Sequence, residues 1–408
     1  MVTQPTGAPT QGAPRSQTWG NTQHIDTGVS RDGHHPASDL KAMRVTYRLT
    51  CAVAEDPVAK AWDIAYEQTV ELPPGRVAPD IAGRVAGRVE AVEPLGENRW
   101  DAVLSFDTST VGDDLPQLLN LLFGNISMKA GILLAEVEWP EALLAQLGGP
   151  GFGIEGLREI TGVRGRPLLC AALKPLGRSA GQLAEICYRF ALGGIDIVKD
   201  DHSLADQEVA PFRERVERCQ EAIARASGET GGRSLYFPNV TGPGMAVLER
   251  ADCARRAGCR GVLVSPLLVG LDAVRQLAHS SGLAIVSHPS LAGGFFNASH
   301  GMAPEVLLGD LFRVAGSDAV IYPNVGGRFT FSGATCDAIN AHLRRPLGPI
   351  KPSFPVPGGG IDAARVPHWV ERYGSDTIFL VGGTLYAQQD LTRAARRLLE
   401  AVRRHGDG

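Results

Sequence analysis

The chain has 408 residues, 44% of them hydrophobic and 21% charged, with a formal net charge of −4. This is the composition of a soluble globular protein, long enough for two domains or for one large barrel with an addition. It excludes a general attraction to nucleic acid, and no apolar run reaches the length of a bilayer span.

Seven cysteines occur, an odd number with no CxxC pair, and the N-terminus lacks an apolar signal segment. A cytoplasmic protein with reduced, buried thiols is expected.

Residues 1–43 are rich in Gly, Pro, Ser, Thr, Gln and His and read as a disordered tail, in which His34 and His35 are solvated. From Arg44 the pattern changes. RVTYRLTCAV alternates as a strand does, and AEDPVAKAWDIAYEQT reads as a helix with Pro57 in its first turn. The strands RVAGRVEAVE and RWDAVLSFD follow, then a helical stretch around PQLLNLLFG and the strand ILLAEVEWP. This predicts a small α+β, ferredoxin-like domain over residues 44–148.

Over residues 149–408 short apolar strands alternate with helical segments. Eight strands are read: RPLLCAAL, GIDIVKDD, SLYFPNV, GVLVSPLL, LAIVSHP, DAVIYPN, KPSFPVPGGG and TIFLVGG. Eight strand–helix units within about 240 residues predict a (β/α)₈ TIM barrel, so the fold class is α/β. Chemistry in such barrels sits at the C-terminal strand ends. Here those ends carry Lys174, Lys199 to His202, Asn239, Ser265, His288, Asn324, Gly358 to Gly360, and Gly382 with Gly383.

The segment GGIDIVKDDH is the most informative. Side chains alternate along a strand, so Lys199 and Asp201 share one face and Asp200 takes the other. Buried charge of this density requires partners, and a metal ion is one. As an ammonium Lys199 only donates, so it ligates a metal only after CO₂ converts it to a carbamate; otherwise it pairs with Asp201. Lys174 reads either as a general base or as the partner of Asp200 or Asp201. The glycines closing strands seven and eight, Gly359 and Gly360 with Gly382 and Gly383, suit a phosphate held by backbone amides.

Taken together, these residues resemble the RuBisCO large-subunit family. GGIDIVKDDH is similar to its GG-x-D-x-x-KDDE signature, and RPLLCAALKP to the RPLL-x(4)-KP segment before it. Further matches follow in order: AYEQT at Glu67, FGN at Asn125, YFPNVTG at Asn239, His288, HGM at His300, GGRF at Arg328, PGGGI and VGGT. The resemblance runs from about Arg44 to the C-terminus, and the ordered series is specific where any one piece is not.

The resemblance implies a homodimer with shared active sites, in which Glu67 and Asn125 complete the partner's site. It implies a carbamate on Lys199 that binds Mg²⁺ together with Asp201, proton transfer by Lys174, substrate contact by His288, and one phosphate held by Gly359, Gly360, Gly382 and Gly383. The departures are equally informative. His202 stands where the family has a third ligand, a glutamate, which opens the site to Mn²⁺. Arg328 replaces the lysine of the mobile loop. Leu176, Pro289, Ile321 and Gly358 stand where a lysine and the second phosphate's arginine, histidine and serine are expected. A substrate with a single phosphate follows.

Such a chain resembles the RuBisCO-like (form IV) branch. The expected chemistry is metal-assisted enolate formation on a phosphorylated keto sugar or keto sugar acid. Decarboxylation of a 3-keto sugar acid phosphate, of the 3-oxo-isoapionate-4-phosphate type, is taken first. The alternatives are an enolase or isomerase of a ketose 1-phosphate of the methionine-salvage type, and a non-catalytic metabolite-binding protein. Carboxylation of ribulose bisphosphate is the least expected, and neither nucleic acid nor membrane is an expected partner.

Overall fold

The computed structural model describes residues 42–329 and 331–406. The tail read over residues 1–43 therefore lies outside the described residues, except for Ala42 and Met43, which already belong to the first strand.

Four strands of the N-terminal domain are β1 (Ala42–Thr50), β2 (Arg88–Gly96), β3 (Arg99–Asp107) and β4 (Ile132–Glu138). They pair antiparallel in the order β4-β1-β3-β2, with helices Pro57–Glu67 and Leu115–Phe123 in the connections. This is the ferredoxin-like arrangement expected. Alternation makes β1 two-faced: Met43, Val45, Tyr47 and Leu49 are fully buried. One element differs from the sequence reading. Arg84 and Val85 end a short helix, Pro79–Val85, and the strand begins only at Arg88. Pro79 starts that helix in its favoured first-turn position. Gly87 then turns the chain so closely beneath the first helix that a Cβ would lie 2.8 Å from the Ala65 carbonyl oxygen.

The barrel strands are β5 (Leu168–Leu173), β6 (Ile197–Asp200), β7 (Leu235–Phe237), β8 (Gly261–Val264), β9 (Ala284–Ser287), β11 (Ala319–Pro323), β12 (Phe354–Gly358) and β13 (Ile378–Val381). Each pairs parallel with its neighbour, and the bridge Asn239–Leu263 joins β7 to β8, which closes the ring. The remaining strand, β10 (Gly301–Met302), leaves the barrel and pairs parallel with β4, so the segment after β9 stitches the two domains together.

Two packed layers follow from the strand period of two. Leu168, Cys170, Ile197, Phe237, Leu263, Val286, Ile321 and Val356 fill the lumen, while Leu169, Ala171 and Val198 face the helices outside. Ile154 and Leu157, from helix Gly153–Thr161, plug the lumen at its N-terminal end. The interval between the fifth and sixth barrel strands does not hold one simple helix. A 3₁₀ turn, β10 and a π-helical stretch, Glu305–Leu311, occupy that interval.

Candidate active site

The alternation that builds the lumen also places the charged end of β6. Ile197 points inward, so Lys199, two residues on, points into the barrel mouth. Asp200 points outward and is satisfied there: it accepts from the Arg215 guanidinium, the Tyr236 hydroxyl and the Asn239 amide. Both Asp200 and Arg215 are fully buried, so this pair belongs to the scaffold.

Lys199 is 2% exposed, and its Nζ donates to the Asp200 carbonyl oxygen at 3.0 Å. No carboxylate lies within ion-pair reach of it among the described residues. Burial therefore pulls its ammonium below the usual lysine value. The carboxylate sharing its face, Asp201, is paired elsewhere. Lys174, at the end of β5, places Nζ 2.5 Å from Asp201 Oδ2. Of the two readings open for Lys174, the ion pair with Asp201 is present in this chain as it stands.

His202 Nδ1 lies 3.3 Å from Asp201 Oδ1. Burial pushes the Asp201 carboxyl up, but the bonds from His202 and Lys174 and the charge on Lys199 outweigh it and hold the group well below the usual carboxylate range. His288, at the end of β9, stacks on His202 and bonds Ser290 Oγ through Nδ1 at 2.8 Å. Burial, with Lys199 and His202 nearby, pushes its imidazole down to about 2, so His288 is neutral. Asn239 Nδ2 donates to the His202 carbonyl at 3.0 Å and fixes the end of the segment.

Lys174, Lys199, Asp201, His202 and His288 thus meet at one barrel mouth. Sequence reasoning did not find Ser290 or Tyr386. The Tyr386 hydroxyl accepts from the Lys174 amide at 2.8 Å and donates to the Ala172 carbonyl at 3.0 Å, which anchors the lysine's backbone. No pattern in one sequence marks a tyrosine more than two hundred positions away as that anchor.

A divalent cation fits these donors on one condition. Asp201 and His202 give one carboxylate and one imidazole, and among the described residues no third His, Cys, Asp or Glu joins them. Mg²⁺ takes oxygen ligands in octahedral geometry. The set is adequate when Lys199 contributes carbamate oxygen, and a buried lysine with a lowered pKa is suited to react with CO₂.

Gly359 and Gly360 follow β12 with φ of 105° and 68°, which a side chain would strain. Gly382 and Gly383 follow β13, the strand paired with β12 at Gly358–Leu380. Thr384 Oγ1 bonds the Ile361 carbonyl at 2.9 Å and ties the two turns together. The four expected phosphate glycines are therefore neighbours.

Arg328 is exposed in the loop after β11, its guanidinium 5.7 Å from the Phe329 ring centroid. Glu67 and Asn125 form a group of their own. Asn125 Nδ2 bonds Glu67 Oε1 at 3.1 Å, and Lys129, which the sequence reading missed, bonds Glu67 Oε2 at 3.0 Å. Neither Glu67 nor Asn125 forms a hydrogen bond or ion pair with the barrel-mouth residues of its own chain.

Residues 153–403 match the family model of the ribulose bisphosphate carboxylase large chain, catalytic domain. Ribulose bisphosphate carboxylase-like protein 1 of Rhodopseudomonas palustris is 41% identical over 365 residues, covering 89% of this chain and 98% of that one. The 5-methylthioribulose-1-phosphate isomerase of Rhodospirillum rubrum is 39% identical over 351 residues, covering 85% and 92%. The crystal structure of a Rubisco-like protein from Rhodopseudomonas palustris superposes with a TM-score of 0.82 at 37% identity, covering 90% and 99%.

Proposed function

The chain belongs to the RuBisCO large-chain family as one of its RuBisCO-like members, and on that premise we propose that it forms an enolate from a singly phosphorylated keto sugar. The reading put first is isomerisation or enolisation by proton transfer. The observation that carries it is the meeting of Lys174 with Asp201 at 2.5 Å, beside Lys199, His202 and His288, at the C-terminal face of the barrel.

Lys199 as a carbamate, Asp201 and His202 would hold Mg²⁺, or Mn²⁺, whose chemistry when bound is Lewis-acid polarisation of the substrate carbonyl. The other steps belong to the chain. Lys174 as the amine takes a proton from the carbon beside the carbonyl, and as the ammonium returns one to the neighbouring carbon. His288, kept neutral, hydrogen-bonds the substrate without adding charge. Gly359, Gly360, Gly382 and Gly383 seat the phosphate. Glu67 and Asn125 would complete the site of a second copy in a homodimer, with Lys129 holding Glu67 in place, and Arg328 would close over the substrate.

The end of the substrate remote from the phosphate is apolar in this reading. Leu291 and Phe329 stand exposed on the loops after β9 and β11. The isomerase relative is named for a ketose with one phosphate and a thioether end, which suits that rim.

Decarboxylation of a 3-keto sugar acid phosphate is the second reading. It reaches the same enolate by loss of CO₂ in place of a proton, and the observation favouring it is His202, a ligand position altered from the family's glutamate. A non-catalytic protein would have little reason to keep Lys199 buried at a cost in stability.

The test is incubation of phosphorylated keto sugars and keto sugar acids in D₂O with Mg²⁺ or Mn²⁺, followed by NMR. Metal-dependent deuterium uptake without CO₂ release supports the first reading, and CO₂ release establishes the second. Neither signal across a broad panel overturns both.

A further inference from the structure

We infer that Arg178 is the charged grip on the substrate's phosphate, facing the glycine turns that follow β12 and β13. This rests on the monophosphate reading above and adds the residue that reading lacks: glycine amides alone set no full positive charge against a phosphate dianion.

The first observation is what Arg178 does not do. Its Nε is sealed from water and has no hydrogen-bond partner. Among the described residues no hydrogen bond and no ion pair reaches its side chain, and it is the one half-buried arginine of which this is true. Buried arginines elsewhere in the chain behave in the opposite way. Arg158 bonds Asp376 and three carbonyls, Arg215 bonds Asp200 and two carbonyls, and Arg313 bonds four carbonyls. A guanidinium has five donors in a planar fork. Here the Nε–H of such a fork is withdrawn from water with no acceptor, an anomaly in a native fold that an absent anionic ligand resolves.

The second observation is position. β13 and β5 pair at Val381–Ala171, so the turn that leaves β5 through Lys174 runs beside the turn that leaves β13 through Gly382. Tyr386, on the short helix Gly383–Tyr386, bonds the Lys174 amide and the Ala172 carbonyl, which locks the two turns together. The charge of Arg178 reaches that hydroxyl. The space in front of the glycines is open: a Cβ at Gly382 or Gly383 would meet nothing within 4 Å. Gly177, with φ of 100°, turns the chain immediately before Arg178.

The third is chemistry. The planar fork of arginine matches two phosphate oxygens at once, which an ammonium does not.

The experiment is titration of the full chain with inorganic phosphate, read by calorimetry and by thermal shift, in the wild type, Arg178→Met, Arg178→Lys and Gly383→Val. Gly383→Val fills the open space at the turn after β13 without touching the arginine's own sequence position. The expected result is that Arg178→Met binds phosphate roughly tenfold to a hundredfold more weakly, with partial recovery in Arg178→Lys. Without phosphate, Arg178→Met should melt no lower than the wild type. If Gly383→Val weakens phosphate binding and Arg178→Met does not, the role given to Arg178 is wrong and the monophosphate reading stands. A wild type that binds no phosphate overturns both. A melting temperature lowered in Arg178→Met without phosphate, with phosphate affinity unchanged, makes Arg178 a structural residue and also overturns the inference.

Discussion

His202 lies flat on His288, with ring centroids 4.4 Å apart and planes inclined by 9°. The stack joins the ends of β6 and β9 across the barrel mouth, and it explains how an imidazole is accommodated where the family's pattern places a carboxylate. Nδ1 of His202 stays turned to Asp201, and the ring's face is covered by a neutral neighbour.

The donor set leads to a prediction about metal preference. His202→Glu replaces the imidazole nitrogen with carboxylate oxygen, so Mg²⁺ affinity should rise by about tenfold relative to Mn²⁺. Calorimetric titration with each cation, with bicarbonate present, checks this. An unchanged ratio would show that His202 is not a ligand.

Lys174→Met should abolish proton exchange while leaving substrate binding. A positioned general acid–base contributes about 10²- to 10⁴-fold, so kcat should fall by that order with KM little altered. Deuterium uptake by substrate at saturating concentration is the measurement.

Lys199 makes a stability prediction with a definite sign. Its folded pKa is lowered from 10.5, so between the two values the unfolded chain binds more protons. The burial penalty is full below the folded pKa and relieved as pH rises towards 10.5. Lys199→Met removes the penalty. At pH 7 the variant should be more stable by on the order of 1 kcal/mol, and the advantage should shrink at alkaline pH. Urea denaturation at several pH values tests it, and the same variant should lose any activation by CO₂.

Removing one partner of the fully buried Asp200–Arg215 pair should do the reverse. Arg215→Met leaves Asp200 with the Tyr236 hydroxyl and the Asn239 amide but no counter-charge. A loss of about 3–5 kcal/mol is expected from the denaturation midpoint. A loss well under 1 kcal/mol would mean that the pair does not anchor the end of β6.

The barrel was legible in the sequence because its rule is local. Buried parallel strands read as short apolar runs, and eight of them in series leave few alternatives. The same local rule, alternation, put Lys199 and Asp201 on one face of the strand and Asp200 on the other, and the closed barrel made the first face the inner one. It failed where local pattern is weak. Arg84 and Val85 read as the start of a strand although they end the helix Pro79–Val85, because a seven-residue helix is too short to show its period. The excursion through β10 was not foreseen, because its two residues pair with a strand from the other domain.

By itself, the sequence determined which residue types stand at which strand ends, and so the kind of chemistry available: lysines, an aspartate sharing a face with one of them, a histidine in place of glutamate, and paired glycines. Partnership was decided only in three dimensions. Asp201 takes Lys174 and leaves Lys199 with a carbonyl oxygen, and His202 takes His288 from three strands away in the chain. Among the described residues none offers the Arg178 Nε an acceptor. Alternation sets direction along one strand, but ion pairs and stacks depend on distances between strands. Those distances are fixed only when the ring closes.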